Sequence, residues 1–250
     1  MEGVHAVLMH SARGFGRHWH GSYGFGVMDE GGHVSASGRG QVHAVAGDVI
    51  TVNPGEVHDG VPLSSNARRW RMIHVSPGAM AAMLAMDGHE FTRPVLDDPR
   101  LRTAIDHVFR CWDDPSGPAL WEEALANACG LLVRQHGDRR LGDGPPTRLD
   151  KVRECLLDQM DAPPSLADLA GLAGLSRFQL VRQFARGHGL PPFAWLRQHR
   201  LRRAQALIAQ GMPLGETAAA CGFADQSHLH RLFSRCFGFT PGAWRDAWLQ

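Results

Sequence analysis

Two segments in the last third of the chain offer the same polar side chains at the same spacing. Arg182 and Arg186 recur 49 positions later as Arg231 and Arg235. An arginine can bind guanine through two hydrogen bonds, and basic residues beside it can bind phosphates. Two copies at a fixed offset indicate a duplicated unit rather than a long repeat array. The chemistry indicated is recognition of DNA. The alternative is a plain solvated helix face, which the second matched copy argues against.

Each copy is predicted to fold as a helix, a tight turn and a second helix. In the first copy apolar residues follow i, i+3, i+4, i+7 spacing over 166–173, Gly174 ends that helix and Ser176 caps the next. In the second copy Gly222 is the break and Asp225 is the expected cap. This pattern is typical of helix-turn-helix units, whose second helix lies in the major groove.

The run Ala220 to Arg245, ACGFADQSHLHRLFSRCFGFTPGAWR, resembles the signature of the AraC/XylS family of bacterial transcription regulators. The resemblance covers about 100 residues, from Leu149 to Trp248. It implies a domain of seven helices with two helix-turn-helix units, joined by a long helix at Pro192–Gln210. It also implies that the two reading helices enter successive major grooves of double-stranded promoter DNA, about 34 Å apart.

The same resemblance places the base-reading positions. They fall on Arg177, Phe178, Val181 and Arg182 in the first unit and on Gln226, Ser227, His230 and Arg231 in the second. The family often has a polar residue where Val181 stands, and an apolar side chain there meets a thymine methyl or makes no specific contact. We expect Arg182 to read a base and Arg177 to bind phosphate. A further cluster either binds phosphate or is solvated, and consists of Arg197, Arg200, Arg202 and Arg203.

The first half of the chain has short alternating apolar runs between glycine turns up to about residue 77. The predicted strands are Val4–Met9, Tyr23–Met28, Gly32–Ala36, Gln41–Val45, Asp48–Val52 and Arg69–Val75. Short strands with frequent turns indicate a sandwich or barrel. Helices are predicted after them over Met80–Met86, Pro99–Trp112 and Ala119–Gln135.

The segment Gly47–Gly60 and the pair His18 and His20 resemble the two histidine motifs of cupin barrels, over roughly residues 1–77. The resemblance implies a small jelly-roll barrel with room for one small molecule, followed by helices that carry dimerisation. The Glu that follows the H-x-H motif in cupin enzymes is missing here. His18, His20 and His58 either form a three-histidine site for zinc or another transition metal, or line a ligand pocket without metal.

Candidate effector contacts are polar or aromatic residues around these motifs, namely Arg17, His18, His20, Tyr23, His58 and Trp70. An arginine such as Arg17 suits a carboxylate or a sugar hydroxyl. Each aromatic residue has the alternative role of packing in the core. The histidines without ligand spacing are expected at the surface or in strands, and are His5, His10, His33, His43 and His74.

Charge separates the two halves of the chain. Residues 145–250 hold 13 Lys and Arg against 8 Asp and Glu, whereas residues 1–144 hold 13 against 17. A basic half is typical of proteins that contact nucleic acid. Five scattered cysteines fit reduced thiols, and no apolar run is long enough to cross a membrane. We therefore expect a cytoplasmic protein.

The sequence predicts a multidomain α+β chain with a cupin-like barrel over 1–77, a helical dimerisation segment over 78–136, a linker over 137–148 and an all-α AraC-type domain over 149–250. We expect a homodimeric transcription regulator that is not an enzyme. It would bind promoter DNA and RNA polymerase under the control of a small-molecule effector, as an activator or a repressor according to promoter geometry. The alternatives are a metal-binding cupin enzyme fused to a DNA-binding domain, and a regulator with no small-molecule effector.

Overall fold

The computed structural model describes residues 3–38, 40–85, 88–112, 118–139 and 147–248. The chain forms two compact units, divided near residue 142. The short strand Phe15–His18 is hydrogen-bonded into a four-stranded sheet whose other strands belong to the first unit. Of the expected linker, residues 137–139 form a strand and residues 140–146 lie outside the described ranges.

The first unit contains both strands and helices. They are β1 Val4–Ser11, β2 Phe15–His18, β3 Tyr23–Glu30, β4 Gly32–Ser37, β5 Gly40–Val45, β6 Val49–Val52, β7 His58–Pro62, β8 Arg68–Val75, α1 Pro77–Leu84, β9 His89–Phe91, β10 Val95–Leu96, α2 Pro99–Trp112, α3 Pro118–His136 and β11 Gly137–Arg139. One sheet has the order β1-β8-β3-β6-β10, a second has the order β2-β7-β4-β5, and β9 pairs with β11. The predicted sheet-rich N-terminal domain is confirmed.

Strand β3 has two faces that serve different purposes, because successive side chains in a strand point to opposite sides. Tyr23, Phe25 and Val27 lie in a core shared with α2 and α3. The alternate positions face the other way, and there Met28 packs with Met72 of β8. Gly26 belongs to this second face, where an added Cβ would lie only 1.8 Å from the Arg71 carbonyl oxygen. Glycine is therefore required for β3 and β8 to approach so closely.

The helices of the first unit follow the predicted apolar spacing. Helix α2 buries Leu101, Ile105 and Val108 against the sheet, and its bounds are those predicted. Helix α1 begins earlier than predicted, because the Ser76 hydroxyl accepts a hydrogen bond from the Ala79 amide and so caps it at Pro77. Met86, which was predicted to end this helix, lies outside the described residues.

The strands that sequence patterns missed are short or polar. Strand β2 has only four residues and strand β7 has five, and neither shows a run of alternating apolar side chains. Strand β10 is two residues long. Such segments become strands because a neighbouring strand supplies hydrogen-bond partners, which local propensity does not encode.

The second unit is helical throughout its described residues. Its helices are α4 Arg148–Asp158, α5 Leu166–Leu172, α6 Arg177–His188, α7 Pro192–Ala209, α8 Leu214–Ala220, α9 Gln226–Phe237 and α10 Pro241–Trp248. The long helix α7 buries Leu201 and Ile208 against Leu229 and Phe233 of α9. In the described part of the chain, no helix combines the length and apolar character needed to cross a bilayer.

Candidate nucleic-acid interface and histidine cluster

The first helix pair, α5 and α6, is joined by a turn with left-handed backbone at Gly174, φ 62°. The Leu175 amide donates to the Ala170 carbonyl at 2.9 Å, which closes the end of α5. Ser176 then caps α6 by accepting from the Gln179 amide at 3.2 Å, while the Gln179 side chain accepts from the Ser176 amide. This reciprocal capping box starts the second helix directly after the turn, as predicted.

The second pair, α8 and α9, repeats the same local geometry. Gly222 has φ 69°, and the Phe223 amide donates to the Ala218 carbonyl at 2.9 Å. Asp225 caps α9 by accepting from the His228 amide at 2.6 Å. The duplicated sequence therefore corresponds to a duplicated turn and cap.

The residues predicted to read bases lie on the solvent side of α6 and α9. Those helices bury Leu180 and Phe184, and Leu229 and Phe233, respectively. Val181 is half-buried, and the other predicted positions are exposed: Arg177, Phe178, Arg182, Gln226, Ser227, His230 and Arg231. The structure thus offers both predicted sets to a partner.

Phe178 is the most exposed large apolar side chain among the described residues, at 73 %. The Arg182 guanidinium carbon lies 5.6 Å from the centre of its ring. An aromatic ring next to a guanidinium on one helical turn can contact a thymine methyl and a guanine edge side by side.

Arg200 on α7 has a different role from its expected partners in the arginine cluster. Its guanidinium donates to the Met160 carbonyl at 2.9 Å and to the Gly222 carbonyl at 2.8 Å. These bonds connect α7 to the loop after α4 and to the turn of the second pair. Phosphate binding is therefore not the function of Arg200. The exposed arginines of the cluster are Arg197, Arg202 and Arg203.

In the first unit the structure brings three of the predicted histidines together. One ring nitrogen from each of His18, His20 and His58 lies within 4.8 Å of the other two. The Nδ1 atom of His18 lies 2.7 Å from the Gly16 carbonyl oxygen, and Nδ1 of His58 lies 2.9 Å from the Glu56 carbonyl oxygen. Burial lowers the pKa of His58 below its ordinary value of 6.5.

Two further histidines extend this cluster. The His74 ring centre lies 5.0 Å from that of His20 and 4.8 Å from that of His5, with which it stacks. His5 and His74 are direct partners across β1 and β8. Sequence spacing gave no sign of this, because the register of two distant strands decides it. His33 and His74 are buried, whereas His10 and His43 are exposed.

The remaining effector candidates are not gathered at the histidine cluster. The Tyr23 hydroxyl donates to the His89 carbonyl at 2.7 Å, and its ring lies on the face of β3 that packs against the helices. Arg17 is exposed, whereas its neighbour His18 is buried. Trp70 shares the His74 face of β8, and the Arg68 guanidinium lies 4.7 Å from its ring centre. Because its ring packs with the helices, Tyr23 is a core residue and not an effector contact.

Both halves of the chain match known families. Residues 5–128 match the AraC-like ligand binding domain, and residues 169–247 match a helix-turn-helix domain. This chain belongs to the AraC family of transcription regulators. Within that family it combines a ligand-binding N-terminal domain with a helical DNA-binding domain.

Relatives of this AraC-family chain include regulators from Bacillus and Rhodococcus. The HTH-type transcriptional regulator YbfI of Bacillus subtilis is 26 % identical over 223 residues, covering 86 % of this chain and 81 % of that protein. The transcriptional activator NphR of Rhodococcus is 36 % identical over 178 residues, covering 70 % of this chain. The match covers 48 % of NphR, so the chain spans about half the length of that relative.

The fold is shared with a solved structure of wild-type ToxT from Vibrio cholerae. The likeness has a TM-score of 0.59 at 11 % identity and covers 97 % of this chain and 94 % of ToxT. That ToxT structure contains a bound unsaturated fatty acid.

Proposed function

We propose that this AraC-family regulator reads promoter DNA through α6 and α9, each laid in a major groove. The observation that carries the proposal is the pair of capped helices, each with a buried apolar stripe and with the predicted reading residues at its solvent-facing N-terminal end. A helix-turn-helix reading helix contacts base edges from this end.

Each side chain suits a particular base edge. Arg182 and Arg231 can each bind guanine through two hydrogen bonds, and Gln226 can bind adenine in the same manner. Phe178 and Val181 suit thymine methyl groups. Arg177, at the start of α6, is assigned to phosphate.

The first unit is proposed to bind a small-molecule effector beside its histidine cluster. The candidate contacts are His18, His20, His58 and Trp70, with the exposed Arg17 next to His18 in the chain. The match to a ligand-binding domain supports an effector. The effector would stabilise one arrangement of the chain through its greater affinity for that arrangement.

Assembly and transcription complete the proposal. Helices α2 and α3 contain the helices predicted within Pro99–Gln135 and would carry homodimerisation. Trp112 and Leu120 expose 39 % and 48 % of their surface there. Contact with RNA polymerase would follow from an activating role, which the name of the relative NphR describes for that protein. The chain would act by binding rather than by catalysis.

The test begins with DNA selected from a random-sequence library by the full chain. Arg182→Ala and Arg231→Ala should each weaken binding to the selected site by about 1–3 kcal/mol and relax the base preference at one position. Arg245→Ala is the matched control, because this half-buried arginine pairs with Asp246 at 2.9 Å on α10. Equal affinity and unchanged base preference in both reading variants would refute the proposed contacts.

A further inference from the structure

We propose that the second unit holds a binding site for a small aromatic carboxylate, in a cavity between α7 and α9. The cavity has a volume of about 190 Å³ and is lined by residues of the second unit. The described residues that line it include neither a member of the histidine cluster nor a position assigned to base reading. The proposal does not depend on how α6 and α9 read DNA.

The apolar part of the lining comes from one side of α7 and from the turn before α9. Phe193, Leu196 and Arg200 follow one another at helical spacing, which places them on the same side of α7. Phe223, in the turn, adds a second aromatic ring that lies 5.6 Å from the ring centre of His228. Leu196 and Phe223 are buried, whereas Phe193 exposes 40 % of its surface. The lining therefore offers ring contacts to a flat apolar ligand, and Phe193 marks a side that solvent reaches.

The polar part of the lining is positively charged. Arg197 and Arg200 both belong to it, and none of the described residues that line the cavity is acidic. The Met160 and Gly222 carbonyls hold the Arg200 guanidinium in place, whereas Arg197 is exposed. A guanidinium binds a carboxylate through charge-assisted hydrogen bonds, which are stronger than neutral ones. An anionic group is therefore the chemical complement of this lining.

His228 adds a hydrogen-bond donor from the first turn of α9. Its Nδ1 atom accepts a hydrogen bond from the Ala224 amide at 3.3 Å. The neutral ring therefore carries its proton on Nε2, from which it can donate to a ligand oxygen. The His228 amide itself donates to the Asp225 carboxylate that caps α9. A ligand in this cavity would thus lie beside the cap of a reading helix.

The volume of the cavity restricts the ligand to a compact molecule. A dry cavity of about 150 Å³ lined by Leu, Ile and Phe binds one benzene molecule. The cavity in this protein is larger, at about 190 Å³, which leaves room for a carboxylate attached to a single ring. The ligand class is therefore a small aromatic acid, of which benzoate is the simplest member.

Calorimetric titration of the full chain with benzoate tests the site. We expect benzoate to bind with a dissociation constant of about 1 mM or lower. Benzamide has the same ring without the charge and should bind at least about tenfold more weakly, because the charge-assisted bonds are lost. Arg197→Gln should weaken benzoate binding by a similar factor, and Phe193→Ala is a second variant that removes a ring contact.

Controls separate this cavity from non-specific attraction and from the first unit. Arg202→Gln removes an exposed arginine of the same helix that does not line the cavity, and it should leave benzoate affinity unchanged. His58→Gln, in the histidine cluster, should also bind benzoate like the wild type. Circular dichroism of the same preparations verifies that each variant is folded.

Three results would overturn the proposal. The first is the absence of benzoate binding at millimolar concentrations, and the second is equal affinity for benzamide and benzoate. The third is wild-type affinity for benzoate in folded Arg197→Gln and Phe193→Ala proteins, which with a loss of binding in His58→Gln would place the ligand in the first unit.

Discussion

Arg200 shows how one side chain can serve a different purpose from its sequence neighbours. It lies among arginines on the same helix, yet its guanidinium donates hydrogen bonds to the backbone carbonyls of Met160 and Gly222. A charged donor bonded to half-buried carbonyls contributes more to stability than a surface ion pair does. Its neighbours Arg197 and Arg202 stay exposed and remain suited to phosphate.

His199 on α7 should make the second unit sensitive to acid. Burial, with Arg202 and Arg153 adding to it, lowers the pKa of His199 from 6.5 to about 4. Between pH 6.5 and about pH 4, His199 is therefore protonated in the unfolded chain but not in the folded chain. This contribution to stability is complete above pH 6.5 and is lost as the pH falls towards 4.

The measurement is urea unfolding of wild type and His199→Gln at pH 7.5 and pH 5.5. The wild type should lose about 1 kcal/mol more than the variant on acidification, a figure reduced for the partial exposure of the ring. His230→Gln, at an exposed position of α9, should lose as much unfolding free energy as the wild type between pH 7.5 and pH 5.5. A loss in His199→Gln equal to that of the wild type would show that this histidine is not responsible.

At the scale of elements, the two helix pairs share one turn but not one environment. Gly174 and Gly222 occupy the same place with φ 62° and 69°. A Cβ on Gly174 would meet no atom within 4 Å, whereas a Cβ on Gly222 would lie 2.9 Å from the Arg200 guanidinium carbon. The two copies therefore have the same backbone conformation at the turn glycine, but different side chains pack around it.

This difference predicts unequal costs for the same substitution. Gly174→Ala should lower the free energy of unfolding by about 1 kcal/mol, the cost of left-handed backbone with a side chain. Gly222→Ala should cost about 2–3 kcal/mol, because it also displaces Arg200 from its carbonyls. Chemical unfolding of the two variants side by side measures this, and equal costs would mean that the Arg200 contact contributes little.

At the scale of the whole molecule, opposite charge in the two halves of the sequence separates their tasks. The basic half carries the exposed arginines of α6, α7 and α9, and the more acidic half carries the histidine cluster. If about five arginines neutralise phosphates, log K for DNA should fall with log salt at a slope of about −4.5.

Salt titrations on wild type and Arg186→Ala test this division. Arg186 is exposed near the end of α6, beyond the base-reading positions, so its loss should make the slope shallower by about 1 and leave base preference unchanged. Arg69→Ala, in the acidic half, should leave the slope unaltered. A salt-independent affinity would contradict electrostatic contact with the phosphate backbone.

The local features of this protein were determined by its sequence. Apolar spacing gave α2 its bounds, Ser176 and Asp225 were recognisable as caps, and the glycines at 174 and 222 marked the turns. Each of these depends on residues within a few positions of one another, where side-chain chemistry acts on its own backbone. The exposed polar face of α6 and α9 follows from the same spacing.

Only the tertiary structure decided which distant residues meet. The register of β1 on β8 places His5 against His74. The packing of β3 against the helices places Tyr23 in the core. The approach of α7 to the turn at Gly222 places the Arg200 guanidinium within hydrogen-bond distance of the Gly222 carbonyl. A strand can present a side chain to either face with the same local propensity, so the choice depends on partners far away in the chain. The histidine cluster has the same origin, since His58 lies near His18 and His20 only when the strands have paired.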